Sequence, residues 1–317
     1  MTSTDEPARS ALAGDIPDEL VRLAGRCLAA DGGLPLAADP GFLRRRWQAP
    51  PGETFALRAA DGSLLAAGAV SPGPNSPIPT GSIPTGPIPT GPIVTGLVDP
   101  SARGRGLGAR VLDHALSLAE AGQAGAPLAL AEGGAPAAVV VETESLTDAA
   151  DQLFTARGLR QFFAEDVMRI DPSSITAPTW PPSTTCSEWS AKTAPRFHAV
   201  YAASFRDRPG FPDPPAEEWI ADYASDDEFR PGWSLLASTA DLGDVGFVAA
   251  ADGWIVQVGV VPQARGRGIG EALMRESLSR MEGTEAWLTV NVNNPGAAAL
   301  YRRLGFTDQG RRARYRR

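Results

Sequence analysis

The sequence predicts an α+β protein made of two related domains in tandem, each a mixed β-sheet flanked by helices. Three observations lead there: a length of 317 residues, a strand–loop–helix segment that occurs twice, and short apolar runs interrupted by helical patterns in the second half. A chain of this length exceeds the usual single domain and suits two units of roughly 150 residues each. The repeat is GLVDPSARGRGLGARVL at residues 96–112, which recurs as VGVVPQARGRGIGEALM at 258–274. Each copy is followed by a looser match, LFTARGL at 153–159 and LYRRLGF at 300–306. Two motifs paired in the same order indicate a duplication, with a first domain over 1–172, a linker rich in Pro, Ser and Thr over 173–186, and a second domain over 187–317.

The elements of the second half can be read in order. Residues 233–239 and 245–251 form strands joined by a polar turn, and Asp252-Gly253 turns the chain into a third strand over 254–261. A helix starts at Gly268 and a fourth strand covers 286–292. The last helix has marked ends: Asn294 caps it, Pro295 suits its first turn, and Gly305 fits a left-handed stop. Ala297, Leu300, Tyr301 and Leu304 fall at helical spacing and line one buried face. Helices over 196–206 and 215–225 precede these strands. In the first half, the units PIPTG, SIPTG, PIPTG and PIVTG fill residues 77–96. Proline has no amide hydrogen for a central ladder, so most of this tract is expected to be an extended loop between two strands, with the last unit entering the second of them.

Composition narrows the function classes. Hydrophobic residues at 43% and charged residues at 21% fit a folded globular chain rather than a disordered one. No apolar run reaches the roughly 20 residues of a membrane helix, and MTSTDEPARS lacks the layout of a signal peptide, so a cytoplasmic location with no membrane partner is expected. Cys27 and Cys186 are too few for a disulfide framework or a four-cysteine zinc site, and no metal is expected; both read as incidental thiols. A net charge of -8 argues against nucleic acid and for a cationic partner. The one basic cluster, RRARYRR at 311–317, reads as a solvated edge strand guarded by its charges. His114 and His198 have no serine or cysteine elbow beside them and read as surface or packing residues.

The chemistry concentrates at Arg265-Gly266-Arg267-Gly268-Ile269-Gly270, between a strand and a helix. Glycines there bare the main chain, and the free amides of a helix N-terminus attract anions, so a diphosphate is the natural ligand. Arg265 and Arg267 add forked donors. The nucleotide P-loop pattern GxxxxGK[ST] is missing, and Glu271 stands where a dinucleotide fingerprint would place its third glycine.

Arg265, Gly268 and Gly270 after the strand residues Val258, Gly259, Val260 and Val261 resemble motif A of the GNAT acetyltransferase superfamily. Asn294, Ala297, Leu300, Tyr301, Gly305 and Phe306 resemble its second signature. The resemblance implies a splayed mixed sheet with acetyl-CoA between two strands, gripped by Val258–Val261, residues 265–270, Asn294 and Ala297. It also implies transfer of an acetyl group by direct attack of a primary amine in a ternary complex. A strand amide near Val260 would polarise the thioester carbonyl, and Tyr301 is the candidate general acid; its other reading is a core aromatic with a bonded hydroxyl. The family's strand glutamate has no counterpart over 254–257, which leaves water, with Asn291, or a carboxylate of the acidic segment (Asp213, Glu217, Glu218, Asp222, Asp226, Asp227, Glu228) as the base; solvated helix faces read the same way. Trp219, Trp233 and Phe211 are candidate acceptor-pocket residues. The acceptor is expected to be a small cationic metabolite.

The first copy keeps the loop, Arg103, Gly104, Arg105, Gly106, Leu107 and Gly108, after Leu97 and Val98. Phe154 stands where Tyr301 stands, and Thr147 replaces Asn294. This half is therefore expected to bind CoA or acetyl-CoA but to catalyse poorly. A tandem pair with its active half second resembles the mycothiol synthase branch of the superfamily, whose acceptor is a cysteinyl amine. A non-catalytic acetyl-CoA sensor, and transfer to a protein N-terminus or lysine rather than to a small metabolite, are the remaining alternatives. The tandem pair would act as an internal pseudo-dimer, compatible with a monomer.

Overall fold

The structure is a computed structural model that describes residues 7–12, 16–47, 53–71, 91–125, 138–208, 211 and 213–317. Its elements run β1 (Ala8–Ala11), α1 (Asp18–Asp31), α2 (Pro40–Trp47), β2 (Thr54–Arg58), β3 (Leu64–Ser71), β4 (Ile93–Val98), α3 (Leu107–Gly125), β5 (Val140–Thr143), α4 (Asp148–Thr155) and β6 (Arg160–Ile170). They continue with β7 (Thr184–Glu188), α5 (Ala194–Phe205), α6 (Ala216–Ala224), β8 (Leu235–Thr239), β9 (Gly243–Ala251), β10 (Trp254–Val260), α7 (Ile269–Arg280), β11 (Ala286–Asn291), α8 (Pro295–Leu304) and β12 (Thr307–Arg316). Residues 77–90 of the repeat tract lie outside the described residues, and its last unit enters β4 as expected.

Two compact units form, and the chain end does not follow its own half. The first unit takes the described residues of Met1–Pro77 and Pro87–Val167 together with Gln309–Arg317; the second takes Met168–Asp308. In the first unit the strand order is β1-β2-β3-β4-β5-β12-β6, antiparallel from β1 to β4, with β5 parallel to β4 and β12 antiparallel to β5. The basic C-terminal run is thus a central strand and not a solvated edge. Its charges are matched by acidic residues. Arg312 (8% exposed) binds Glu165 (0% exposed) at 2.6 Å, Arg314 meets Glu142 at 2.8 Å, and Arg311 meets Asp166 at 2.7 Å. Burial opposes the charge on Arg312, but Glu165 and Glu144 outweigh it and its pKa is raised. Tyr315 lies against Phe154 with ring centroids 4.9 Å apart and donates to Asp151 at 2.5 Å.

The second unit orders its strands β11-β10-β9-β8-β7, with β7, β8, β9 and β10 mutually antiparallel and β11 parallel to β10. Its edge strand β7 starts inside the segment expected to be a linker and carries the exposed Cys186. Helices α5 and α7 both pack on β9 and β10. Two glycines let them approach: a Cβ at Gly259 would stand 2.9 Å from Ser204 of α5, and one at Gly246 2.9 Å from Ile269 of α7. The aromatic side of the core stacks Tyr201 on Trp219 at 5.0 Å and sets Tyr223 against Trp219 at 4.7 Å. Asn294 caps α8 by accepting from the Ala297 amide, and Gly305 ends it at φ 106°, both as the sequence indicated. Of the face expected to be buried, Tyr301 and Leu304 are buried, while Ala297 and Leu300 are half-buried and lie against the same core.

Candidate active site

In each unit a parallel strand pair opens into a cleft. Strand β10 pairs with β11 at Trp254 and Trp287. On its other side β10 stays with β9 as far as Val260, with one bulge between Ile255 and Gln257. The Val261 amide donates to Val245 of β9. Successive amides on a strand point to opposite sides, so the Val258 and Val260 amides face away from β9 and into the opening. In the first unit β4 pairs with β5 at Ile93 and Val94, and the Asp99 amide donates to Leu65 of β3, which turns the Val98 amide into the corresponding cleft.

The loop that follows each strand has the same backbone in both units. Gly266 and Gly268 stand at φ 75° and 84°, Gly104 and Gly106 at 76° and 78°. That left-handed region strains any residue with a Cβ. A Cβ at Gly266, Gly104 or Gly106 would meet nothing within 4 Å, so the loop surface is open beside the main chain. Gly268 is the N-cap residue of α7, with the first-turn amides of Ile269 and Gly270 behind it. The last glycine of each loop has a different duty. A Cβ at Gly270 would touch Val260 at 3.5 Å and Leu300 at 3.8 Å, and one at Gly108 would touch Leu153 at 3.3 Å and Val98 at 3.9 Å. These two let the helix sit close to the strand and to the next helix.

The loop arginines are largely engaged. Arg265 donates Nε to the Val260 carbonyl at 3.1 Å and Nη2 to the Ser204 carbonyl at 2.9 Å, which ties the strand end to α5. Arg103 repeats the first bond, to Val98 at 3.3 Å, and grips Asp31 through two bonds of 2.6 Å. Arg267 pairs with Asp241 at 2.9 Å, and Arg105 stands exposed beside Gly104. The sequence reading assigned these side chains to a ligand; here Arg265 and Arg103 also tie the loop to its strand.

Tyr301 is buried on α8, 5.9 Å from the Phe306 ring centroid. Burial pushes its phenol up to about 12, and the Arg208 guanidinium, 4.2 Å over the Phe205 ring, pulls it the other way. Gln257, just past the bulge of β10, accepts a bond of 3.1 Å from the buried Tyr223 hydroxyl. Tyr201 stands nearby, pushed up to about 12 by burial. Arg208, Tyr201 and Tyr223 went unnoticed in the sequence, and Gln257 figured only as the end of the 254–257 stretch without a glutamate, because no spacing links them; only the fold brings α5, α6 and β10 together.

The acidic segment serves mainly local structure. Glu217 and Glu218 stand exposed in the first turn of α6, where the helix dipole favours them, and Asp226 accepts from the Glu228 amide at 2.8 Å. Asn291 likewise accepts from the Asn293 amide at 2.9 Å. Trp219 is in the core, while Trp233 and Phe211 are partly buried against it. His198 donates Nε2 to the Pro214 carbonyl at 2.9 Å, and His114 packs edge-on to Phe55 at 4.6 Å.

Around the first-unit cleft the structure holds a cavity of about 390 Å³, which runs from Gly104 and Gly106 past Thr95 to Phe42, Leu43 and Trp47. Its carboxylates are paired: Asp31 with Arg103, Glu142 with Arg46 and Arg314, Glu144 with Arg46. The Thr95 hydroxyl, Glu142 Oε1 and Glu144 Oε2 are shut off from solvent without a hydrogen-bond partner, although Arg314 Nε stands 2.8 Å from Glu142 Oε1 as its ion-pair partner.

The Acetyltransferase (GNAT) family model matches residues 26–137 and again 186–306. The mycothiol acetyltransferase of Clavibacter michiganensis subsp. michiganensis is 31% identical over 235 residues, which cover 70% of this chain and 71% of that one. A GCN5-related N-acetyltransferase from Sphaerobacter thermophilus superposes with a TM-score of 0.71 at 26% identity, covering 100% of this chain and 96% of that one. A tandem GNAT protein from the clavulanic acid biosynthesis pathway shares the fold at a TM-score of 0.56 and 14% identity, over 98% of each chain. With two matched domains, each built around a splayed strand pair and a glycine loop at a helix start, this chain belongs to the GNAT acetyltransferase family and is an acyltransferase.

Proposed function

We propose that the second unit moves an acetyl group from acetyl-CoA to a primary amine. The observation that carries this reading is a buried phenol, Tyr301, in the same unit as an open left-handed glycine loop and a strand with amides turned into the cleft. The bare main chain at Gly266 and Gly268, with the first-turn amides of α7, would hold the diphosphate. Val258–Val261 would line the pantetheine, while Asn294 shapes the site through its cap on α8 and Ala297 lies beside it. When bound, acetyl-CoA supplies a thioester carbonyl carbon as the electrophile. The amine nitrogen bonds to that carbon, the oxygen takes negative charge against the Val260 amide, and the C–S bond then breaks. Tyr301 gives its proton to the departing thiolate and recovers one from water; the amine's surplus proton leaves to solvent.

A phenol near 12 stays protonated throughout the physiological range, as an acid must. For the first unit we propose binding of CoA or acetyl-CoA without transfer: its loop has the same geometry, but Phe154 has no proton to give. The named relatives favour a cysteinyl amine as acceptor over an alkyl amine, since they carry the name mycothiol acetyltransferase.

The test is CoA release from acetyl-CoA, followed with a thiol reagent, across an amine panel that includes a cysteinyl glycoside. Turnover with at least one amine, lost in Tyr301→Phe with acetyl-CoA affinity kept, is the expected result. Absence of turnover with every amine would leave a sensor, and equal rates in the mutant would remove the acid.

A further inference from the structure

We infer that Trp254 and Trp287 form a cation site at the closed end of the second-unit cleft, which receives a positively charged group of the acceptor remote from the reacting amine. This rests on the reading of the second unit as an amine acetyltransferase. It adds a charge at the acceptor's far end and leaves the amine that is acetylated, cysteinyl or alkyl, as it was.

Strands β10 and β11 pair in register at Trp254 and Trp287, and from there the cleft opens toward the glycine loop. Side chains alternate along a strand, and partners on neighbouring strands share a face. Gly259 faces α5, since a Cβ there would stand 2.9 Å from Ser204, and Gln257, two residues earlier, meets Tyr223 of α6. Gln257 and Trp254 pair with Ala249 and Ala251 of β9, two positions apart, so the bulge between them returns Trp254 to the same face. Trp287 follows as its partner. Both indoles therefore stand on the side of the sheet that α5 and α6 cover, opposite α7.

The two side chains are half-buried, with ring centroids 6.3 Å apart and planes 31° from parallel. Among the described residues no arginine lies over either ring; the guanidinium contacts with rings are at Phe42, Phe205, Phe163 and Phe162. An indole face attracts a cation within about 6 Å of its centroid, more strongly than the other aromatic side chains do. The surrounding charge acts in the same direction. The Asp252 amide donates to the Glu228 carbonyl at 2.9 Å, which brings the acidic segment to the turn before Trp254. Asp226, Asp227, Glu228, Asp252 and Glu285 gather at this end against Arg230 and Arg169, so negative charge is in excess.

Reach decides which part of the acceptor is held. Val260, whose amide would meet the thioester oxygen, is the last residue of β10 and Trp254 the first, up to about 20 Å apart at roughly 3.3 Å per residue. The reacting nitrogen cannot stand at both ends, so the indoles take a second group. The first unit has no counterpart: PIVTGLVDP at 92–100 aligns with WIVQVGVVP at 254–262, which puts Pro92 at the Trp254 position, and its cleft closes on Val94 and Val141. The aromatic pair goes with the unit that carries Tyr301.

The test follows CoA release from acetyl-CoA by the full chain with ω-aminoalkyl trimethylammonium compounds of three, five and seven methylenes. Each is compared with its uncharged isostere, in which a tert-butyl group replaces the trimethylammonium. At the best length, kcat/KM is expected to be at least about fivefold higher for the charged member, and Trp254→Leu should bring that ratio close to one. A ratio near one at every length in the parent, or no turnover of either series while another amine is acetylated, overturns the cation site alone. A ratio that survives in Trp254→Leu assigns the preference to the carboxylates and overturns the role of the indoles. No turnover with any amine overturns the acetyltransferase reading, and the cation site with it. Should Trp254→Leu fail to fold, Trp287→Leu serves in its place, and a parent ratio near one is decisive without either.

Discussion

The two units keep one loop and differ at the position of the proposed acid, Tyr301 in the second and Phe154 in the first. Gly104 and Gly266 agree within a degree in φ, Gly106 and Gly268 within about six, and Arg103 and Arg265 make the same bond to the strand carbonyl five residues before them. The loop is therefore set by its glycines, by helix packing at Gly108 and Gly270, and by an arginine clamp. All of these are present in both copies, whether the matching position holds Tyr301 or Phe154. The phenol is the opposite case: Phe154 fills the same packing position without it. Cofactor geometry and catalytic chemistry are separable parts of this fold.

The largest expected effect breaks the comparison at the C-terminal strand, which only the first unit uses as a central strand. Arg312→Ala takes away the guanidinium that meets the fully enclosed Glu165 carboxylate at 2.6 Å. Removing one member of such a pair costs about 3–5 kcal/mol. A lowered denaturation midpoint is expected, with coenzyme binding lost in the first unit; the double replacement Arg312→Met with Glu165→Leu should recover most of it. A midpoint for Arg312→Ala equal to that of the parent would show the ion pair to be inert.

Next is the phenol. Tyr301→Phe should lower kcat by about 10²–10⁴, the usual range for a lost acid, while Phe154→Tyr should add no measurable turnover, because Thr95 stands where Gln257 stands in the second unit and Arg46 holds Glu142 and Glu144. Transfer by a chain carrying both changes would mean that the phenol alone separates the units.

The third prediction sharpens the shared part. A Cβ at φ near 80° costs roughly 1–2 kcal/mol, so Gly268→Ala should weaken acetyl-CoA in the second unit by about tenfold and raise its KM. Gly106→Ala should reduce the coenzyme stoichiometry measured by calorimetry with kcat unchanged. Equal kinetic damage from both would refute the division of labour.

Much of this was legible in the sequence. The repeat at 96–112 and 258–274 gave the two-domain α+β fold, and Asn294, Pro295 and Gly305 gave α8 to the residue, because caps and left-handed stops are local chemistry. The role of the basic end was not legible. Edge and centre differ only in what lies beside a strand, and the partners of Arg312 and Arg314 sit about 150 or more positions earlier in the chain. The domain division suffered for the same reason, since Gln309–Arg317 joins the first unit. The bonds of Arg265 to the Ser204 carbonyl and of Arg103 to Asp31 were not legible, because their partners lie on distant elements. The pairing of Tyr223 with Gln257 depends on α6 folding back on β10 and leaves no periodic trace.

The smallest expected effect separates the units by pH. His114, on α3 of the first unit, has its pKa lowered by burial and by Arg9, whose Nη1 lies 3.1 Å from Nδ1. A histidine whose folded pKa is depressed favours the native state when neutral: the unfolded chain takes up the proton first, near pH 6.5. Its contribution is therefore complete above the unfolded pKa and declines as the pH falls below it, when a second cation would form beside Arg9. The ring is partly exposed and solvent screens the pair, so the contribution is a few tenths of a kcal/mol. Replacing His114 by Gln should flatten the decline of the first-unit melting temperature between pH 7 and 5.5 by about a degree, read by scanning calorimetry. The second unit's transition should keep its own pH dependence, because His114 and Arg9 both belong to the first unit. A first-unit decline that is unchanged in the variant would remove His114 as its source.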